Sequence, residues 1–212
     1  MNEKFYSLPG EKRQRIINSG LEVFAKNPYK NASTEEIAAK AGISKGLLFH
    51  YFRNKREFYN FLYQYGEALL RQSLAEMPQE PDVDFFTLLE WATQKRAQLL
   101  PDNPWLVQFS LRAYYSKNET ISADIDNAVQ RTMSAVMERY FQSVNLSKFR
   151  EGMEPERILN MLIWLSDGYL HFKERSGEAL DAEALLEEFR FWCRVLRQAA
   201  YKEEYLNGSN QG

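Results

Sequence analysis

The chain has 212 residues and a formal net charge of -2, and 44% of its residues are hydrophobic. This length and composition are typical of a soluble globular protein that buries a sizeable core. No apolar run of about 18 residues is present, and the N-terminal residues lack the apolar region of a secretory signal. We therefore expect neither a membrane span nor secretion, and we predict a cytoplasmic protein.

Metal-binding and disulfide-stapled classes are disfavoured by the cysteine and histidine content. Cys193 is the single cysteine, and the two histidines, His50 and His171, lie far apart in the sequence. No zinc-ligand spacing results, so we expect no metal and no cofactor. The simplest interpretation of Cys193 is a small buried hydrophobic residue, and a redox sensor is the alternative.

The charge is unevenly distributed along the chain. Residues 1–56 hold 11 Lys and Arg against 5 Asp and Glu, a net of +6, whereas the remainder holds 16 against 24, a net of -8. A basic N-terminal part on an acidic body suggests that only the N-terminal part meets a polyanion.

The first predicted helix runs from about residue 9 to residue 26. Ile17, Leu21 and Phe24 recur at helical spacing and form its apolar stripe. Pro28 ends it, because proline lacks the backbone donor and disfavours helical geometry in the preceding residue.

Two short helices with a glycine turn follow. Ser33 is predicted to cap the first of them, with Glu36 three residues later completing a capping box. Gly42 suits the left-handed conformation after that helix, and Ser44 suits the cap of the next one. This pattern predicts a helix-turn-helix, whose second helix enters a DNA groove.

The helix after Ser44 has one side for packing and one side suited to DNA. Leu48 and Phe52 share the packing side, whereas Gly46 on the other side allows close approach to a groove. We predict base contacts from Lys45, Gly46, Leu47 and His50 and phosphate contacts from Tyr51 and Lys55, with Ser33, Thr34, Ser44 and Phe49 completing the DNA-binding set. An uninvolved surface position is the alternative for His50.

The segment STEEIAAKAGISKGLLFHYFRNKREFY, residues 33–59, resembles the DNA-binding domain of TetR-family transcriptional regulators. The shared features are a capped helix, an Ala-Gly turn, a Ser-x-Gly start and an aromatic end, and the resemblance covers residues 10–60 closely. Phe49 stands where the family usually has a tyrosine, so a hydroxyl-to-phosphate bond is absent there. Pro28 stands where a glycine commonly ends the first helix.

Six further helices are predicted, which gives an all-α chain of about nine helices. Their ranges are about 54–77, 82 or 84 to 100, 105–116, 121–144, 155–175 and 181–205. We predict a three-helix DNA-binding domain at residues 1–54, a larger helical effector-binding and dimerisation domain at 55–206, and a flexible tail at 207–212.

The last two long helices are too apolar for an ordinary surface position. The segment ILNMLIWLSDGYLHF is apolar almost all round, and a helix of that kind is buried on more than one side. Packing against a second copy explains this. The family resemblance implies the same, since TetR-like regulators form homodimers through their last two long helices as a four-helix bundle.

The resemblance also places a ligand cavity among the helices of the larger domain. Aromatic and methionine side chains suit a flat or lipophilic small molecule. The candidate effector contacts are Trp91, Trp105, Phe109, Tyr114, Met137, Trp164, Asp167 and His171. For Asp167 and His171, one turn apart, two readings stay open: a polar pair at the dimer interface, or a contact to the effector that responds to pH.

The sequence thus predicts a ligand-responsive DNA-binding transcriptional regulator, a repressor that leaves a double-stranded DNA operator when it binds a lipophilic or aromatic effector. The alternative is a helical small-molecule or protein-binding module without DNA binding, which Phe49 favours slightly. No phosphate loop, nucleophile elbow or carboxylate-histidine constellation stands out, so we do not predict an enzyme.

Overall fold

The computed structural model describes residues 3–75, 82–115, 144–177 and 181–206, together with positions 131, 134, 135, 138, 141 and 142. Nine α-helices lie within these residues: α1 (Glu3–Tyr6), α2 (Gly10–Lys26), α3 (Thr34–Ala41), α4 (Lys45–Phe52), α5 (Lys55–Ala75), α6 (Phe85–Ala97), α7 (Leu106–Tyr115), α8 (Pro155–Ser176) and α9 (Ala182–Ala200). The predicted all-α fold is confirmed. Across the described ranges, no helix has the length and hydropathy needed to cross a membrane.

Most predicted helices have the expected bounds, and two expectations need correction. The four-residue helix α1 was not predicted, and α9 ends at Ala200 rather than at 205. It ends there because Tyr201 is fully buried in an extended conformation and bridges to Phe149. The predicted helix 121–144 and the tail 207–212 lie wholly or mostly outside the described residues.

The chain forms two compact units, which are described separately. Unit 1 comprises residues 1–72 and 99–134, and unit 2 comprises residues 73–98 and 135–212. Most of α5 and all of α7 therefore belong with the N-terminal helices by their contacts. The predicted division between residues 54 and 55 stays a prediction about function.

The core of unit 1 contains an aromatic cluster centred on Phe5 of α1. This side chain is fully buried, with its ring centroid 4.8 Å from that of Phe52 and 5.2 Å from that of Phe61. α1 is too short to show a periodic pattern, so sequence analysis missed it. Its single buried ring nevertheless closes one end of the helix-turn-helix core.

Close packing between α2 and α5 depends on Gly20. A Cβ atom at this position would lie 2.5 Å from the ring of Phe58 and 2.7 Å from Leu62. Real Cβ contacts are never this short, so a larger residue would push the two helices apart. Gly20 thus sets how closely α5 approaches the DNA-binding helices.

Unit 1 also holds α7 against α2 by polar contacts. The Arg112 side chain donates from Nε to the Ala25 carbonyl at 2.6 Å, near the end of α2. Asn103, only 3% exposed, accepts hydrogen bonds from the Tyr65 hydroxyl at 2.7 Å and from Gln14 Nε2 at 2.9 Å. Such buried, satisfied polar contacts fix the orientation of packed elements.

Unit 2 packs α6 and α8 against α9. Its core includes Phe85, Phe86, Phe149 and Tyr201, whose rings meet edge-on or stacked at 5.0 to 6.4 Å. Tyr201 follows α9 directly, and its carbonyl accepts from Arg150 Nε at 2.5 Å. The chain after α9 is therefore part of the core.

Asp84 joins three segments of unit 2. Its carboxylate caps α6 by accepting the backbone N–H of Thr87 at 3.1 Å, and it pairs with Arg197 at 2.7 Å and Lys148 at 3.4 Å. Burial raises the pKa of Asp84, but the Thr87 hydrogen bond and the two cations outweigh it and lower the pKa. The ionised carboxylate therefore stabilises the unit.

We expect Asp84→Asn to destabilise the protein by about 2–4 kcal/mol at neutral pH, since it leaves Arg197 and Lys148 without their anionic partner, although the asparagine oxygen can still cap α6. The lowered pKa means that the wild-type advantage is present above the ordinary carboxyl pKa of about 4 and is lost as the pH falls through the lower folded-state pKa. Urea denaturation at several pH values measures this. Glu154→Gln, at an exposed ion pair, is the control and should change stability by less than about 0.5 kcal/mol; equal losses at neutral and acidic pH would contradict the assignment.

Candidate nucleic-acid interface

The helix-turn-helix has the predicted caps. The Ser33 hydroxyl accepts the Glu36 N–H at 3.2 Å, and the Ser44 hydroxyl accepts the Leu47 N–H at 3.1 Å. Gly42 between the helices has φ 66° and ψ 37°, the left-handed conformation that glycine favours. Each helix end is thus fixed by a local interaction that the sequence already shows.

The two sides of α4 also follow the prediction. Leu48 and Phe52 are 0% and 4% exposed and pack in the core of unit 1. The opposite side carries exposed Lys45, Gly46 and His50, with Leu47 and Phe49 half-buried beside them. This side presents small, basic and apolar groups together, which suits contact with base edges in a major groove.

The phosphate contact predicted for Tyr51 requires an exposed hydroxyl, but Tyr51 is buried. Its side chain is only 7% exposed, and its ring centroid lies 5.9 Å from that of Phe5. α1 covers this part of α4, and sequence analysis did not detect α1. We therefore leave Tyr51 out of the proposed phosphate contacts.

Lys55 lies at the first position of α5, close to the helix-turn-helix. Its ammonium donates to the Lys30 carbonyl at 3.3 Å and lies 4.7 Å from the centroid of the Tyr29 ring. Burial lowers the pKa of Lys55, although the negative charge of Glu35 opposes the shift. The side chain is thus held in one place beside the surface that α3 and α4 present.

A strained turn separates α4 from α5. Arg53 has φ 61° and ψ -49°, and the N–H of Asn54 donates across it to the Phe52 carbonyl at 2.6 Å. A non-glycine residue in such a tight turn costs about 1–3 kcal/mol and persists only where its surroundings impose it. The turn fixes the direction of α5 as it leaves α4, and nothing in the sequence pattern indicated it.

Glu35 is a further residue of this surface that the sequence analysis did not single out. Its carboxylate forms an ion pair with Lys45 of α4 and accepts hydrogen bonds from the hydroxyls of Ser33 and Thr34, at 3.1 and 3.3 Å. Glutamate is common in the first turn of a helix, where it complements the helix dipole, so its presence there did not indicate a role at the DNA-binding surface.

The candidate effector residues are divided between the two units. Phe109 is 1% exposed in the core of unit 1, with its ring 5.2 Å from that of Tyr59, and Trp105 lies under the Lys26 ammonium at 4.2 Å. Two open cavities of about 570 and 580 Å³ occur in unit 1; Trp105 lines the first, and the second has none of the candidates. Tyr114 lies in α7, and Met137 lies outside the described residues.

The candidates in unit 2 lie apart from any of these cavities. Trp91 is half-buried on α6, whereas Trp164 on α8 is 59% exposed. Asp167 and His171 lie 3.6 Å apart on α8, with the histidine side chain 56% exposed. Phe109 is thus a core residue and Trp164 a surface residue of the described part of the chain, and their contacts to an effector stay predictions.

Trp164 belongs to an apolar face formed by α8 and α9. Its members are exposed large hydrophobic residues at helical spacing: Met161, Trp164, Leu165 and Phe172 on α8, and Phe191 and Val195 on α9. Gly168 lies among them with no atom within 4 Å of a Cβ built on it. An exposed apolar face of this kind marks an interaction surface.

Cys193 is buried on the inner side of α9. It is 0% exposed, and burial raises the pKa of its thiol, with the charge of Glu90 adding to the effect. A thiol that stays protonated is a poor nucleophile and a poor redox sensor. The interpretation as a small buried hydrophobic residue is confirmed.

Comparison with known proteins agrees with this geometry. Residues 16–60 match the family model for bacterial regulatory proteins of the tetR family. The transcriptional regulators SrpR and TtgW of Pseudomonas putida are each 43% identical to the chain over 47 residues, which is 22% of this chain and 22% and 35% of theirs. These matches span about a fifth to a third of the relatives' length.

Solved structures are similar over nearly the whole chain. A TetR-family transcriptional regulator from Chloroflexus aurantiacus has a TM-score of 0.66 and 25% identity, covering 95% of this chain and 99% of that one. SmeT, the repressor of the Stenotrophomonas maltophilia multidrug efflux pump SmeDEF, has a TM-score of 0.58 and 19% identity, covering 94% and 93%. Both the helix-turn-helix and the fold are thus similar to those of DNA-binding transcriptional regulators. Residues 16–60 therefore match a tetR-family DNA-binding domain, and the chain has the fold of the solved TetR-family regulators.

Proposed function

We propose that the chain is a ligand-responsive repressor that binds a near-palindromic operator as a homodimer. The observation that carries this proposal is the exposed side of α4, which two capped helices hold on a basic N-terminal segment. A dimer would present two copies of α4 to major grooves separated by one or more DNA turns of ~34 Å.

In this proposal the residues of α3 and α4 divide the work of recognition. Lys45, Gly46, Leu47 and His50 contact base edges, where the glycine permits close approach. Ser33, Thr34, Ser44 and Lys55 bind flanking phosphates, and Phe49 packs beside them without a hydroxyl to contribute. Thr34 is only 8% exposed, but unlike Tyr51 it directs its hydroxyl to an exposed group, the Glu35 carboxylate.

The dimer would form through the apolar face of α8 and α9. Six large hydrophobic residues of this face are 36% to 59% exposed in the single chain. A four-helix bundle made with a second copy would bury them, and the open space around Gly168 suits close approach of a partner helix. Asp167 and His171 lie on the same helix, which favours their interpretation as a polar pair at this interface.

An effector would act by moving the DNA-binding helices. A lipophilic or aromatic small molecule is the proposed class, since SmeT is the repressor of a multidrug efflux pump and aromatic side chains are frequent in this chain. Because α7 is bonded to α2 through Arg112 and Ala25, a shift of α7 would reach the helix-turn-helix directly. Its effect on operator affinity would be a coupling free energy of about 1–3 kcal/mol.

A salt titration with a Lys55→Ala variant tests the DNA-binding function. For the wild-type protein, the logarithm of the association constant for genomic fragments should fall linearly with the logarithm of the salt concentration. The Lys55→Ala variant should lose affinity for all sequences alike. The slope of that line should be smaller in magnitude by about 0.9 for each DNA-binding domain of the variant. Arg71→Ala removes a charge from the other end of α5, where the side chain is 77% exposed, and should leave the slope unchanged.

The second candidate function is a helical binding module that has lost DNA binding. Phe49 favours it, because this side chain lacks the hydroxyl that would reach a phosphate. Salt-insensitive binding, or no binding of wild-type protein to any fragment, would support this candidate and contradict the proposed repressor.

A further inference from the structure

We propose that Glu35 is a built-in competitor for DNA: its carboxylate occupies the donors of Ser33, Thr34 and Lys45 and must be displaced when the proposed phosphate and base contacts form. This inference rests on the proposed DNA-binding function and adds a residue that sets affinity. None of the expected DNA contacts included Glu35.

Several proposed DNA contacts converge on Glu35. Three of the proposed DNA contacts donate to one carboxylate: Ser33 and Thr34 to Oε2, at 3.1 and 3.3 Å, and Lys45 to Oε1. The charge of Glu35 also acts on a fourth, Lys55. A carboxylate and a phosphate both offer two or more anionic oxygens to hydroxyl and ammonium donors, so Glu35 takes the place of a phosphate group.

The hydroxyl protons of Ser33 and Thr34 are already used by Glu35. A hydroxyl has a single proton to donate. The Ser33 oxygen already accepts the Glu36 N–H at 3.2 Å, and its proton goes to Glu35. The Thr34 proton goes to the same carboxylate. Neither hydroxyl can donate to a phosphate until it leaves Glu35.

The negative charge of Glu35 is paired with the Lys45 ammonium. Lys45 and Glu35 are paired at the surface, with side chains 47% and 66% exposed, and the Lys45 ammonium also lies 5.7 Å from the Phe49 ring centroid. The hydrogen bond from Lys45 is the main cause that lowers the pKa of Glu35 to about 2, with its own backbone N–H and Ser33 adding to it. Glu35 is therefore ionised at every pH of interest, so it repels an incoming phosphate and competes with it for the Lys45 ammonium.

The DNA-binding domain consequently binds DNA less tightly than it would if Ser33, Thr34 and Lys45 were free to donate to it. Because the competition is local, it weakens binding to every sequence and leaves discrimination to contacts that only the correct operator completes. Glu35 thus acts as a positioning residue that holds Lys45 in one direction and suppresses non-specific binding.

Glu35→Gln is the test, with Glu36→Gln as the matched control. Glu36 is the next residue of α3, is also exposed, and neighbours Lys40 rather than Lys45. Binding of the full chain to a duplex of about 30 base pairs with random sequence is measured by fluorescence anisotropy at low salt, where non-specific affinity is highest. We expect Glu35→Gln to tighten binding about three- to tenfold and Glu36→Gln by less than twofold, with the difference narrowing as salt rises.

Lys45→Ala separates a local contact from a general change of charge. In the Lys45→Ala background, Glu35→Gln should recover less than half of its gain, because the ammonium that it releases is absent. Circular dichroism checks that all variants are folded. Equal gains from Glu35→Gln and Glu36→Gln, or an undiminished gain without Lys45, would overturn this proposal alone. No DNA binding by any variant would overturn the proposed function together with it.

Discussion

Phe172→Glu is expected to convert the proposed homodimer to a monomer. In the proposed four-helix bundle, both copies would place a carboxylate in an apolar interface, where burying an unpaired charge costs several kcal/mol. A loss of about 3–5 kcal/mol weakens dimerisation by roughly 10²- to 10³-fold or more. Light scattering coupled to size-exclusion chromatography, at micromolar protein, measures the change. Operator binding should weaken together with dimerisation, since two DNA-binding domains are needed to occupy both half-sites.

The control for this variant is Leu146→Glu. Leu146 is also an exposed hydrophobic residue of unit 2, at 46%, but it lies in a short 3₁₀ turn rather than on α8 or α9. The Leu146→Glu protein should therefore stay dimeric. Phe172 is 57% exposed in the single chain, so glutamate at this position should leave the monomer folded. A Phe172→Glu protein that remains dimeric would show that the apolar face has another partner.

Phe5→Ala is expected to lower the free energy of unfolding by about 3–5 kcal/mol, since a fully buried phenyl ring is replaced by a cavity. For a chain of this size, that corresponds to a fall in Tm of roughly 6–20 °C. The cavity would open beside Phe52 and Tyr51 at the end of α4, so DNA affinity should fall as well. Thermal melts followed by circular dichroism measure the first effect, and anisotropy with a DNA duplex measures the second.

Tyr6→Ala is the matched control, because the neighbouring Tyr6 is 51% exposed. Its cost should stay below about 1 kcal/mol. If the two variants melted together, α1 would not be docked on the helix-turn-helix as described, and the burial of Tyr51 would need another explanation.

The parts of the fold that were predicted correctly are those fixed by local chemistry. Ser33, Gly42 and Ser44 set helix ends through bonds to residues at most four positions away, so their order along the chain was enough. Leu48 and Phe52 followed from helical periodicity in the same way. These signals are strong because they need no knowledge of the rest of the molecule.

The parts that were missed depend on long-range contacts. α1 has four residues and a single buried ring, so it has no periodic pattern, yet it decides that Tyr51 is buried. Arg15 donates to the Ala41 carbonyl at 3.0 Å, a role that no count of basic residues could distinguish from phosphate binding. Glu35 likewise gains its role only from where Lys45 is placed.

The effector residues show the same limit. A tryptophan in an apolar helix is compatible with core, cavity or interface, and Trp105, Phe109 and Trp164 have three different environments. Burial separates these cases only after the fold is known. Composition therefore predicts a class of ligand but does not identify the residues that would contact it.

The order of packing in unit 2 has a consequence for biosynthesis. α6 packs mainly against α9, and Asp84 pairs with Arg197, so the two contact regions are separated by more than a hundred residues. At a translation rate of about 5–20 residues per second, α6 leaves the ribosome several seconds before α9 exists. During that interval Phe85 and Phe86, both 1% exposed in the finished fold, have no partner helix to cover them. Unit 2 therefore cannot complete its core until synthesis is nearly finished, whereas the helix-turn-helix core from Phe5 to Leu62 has already been synthesised.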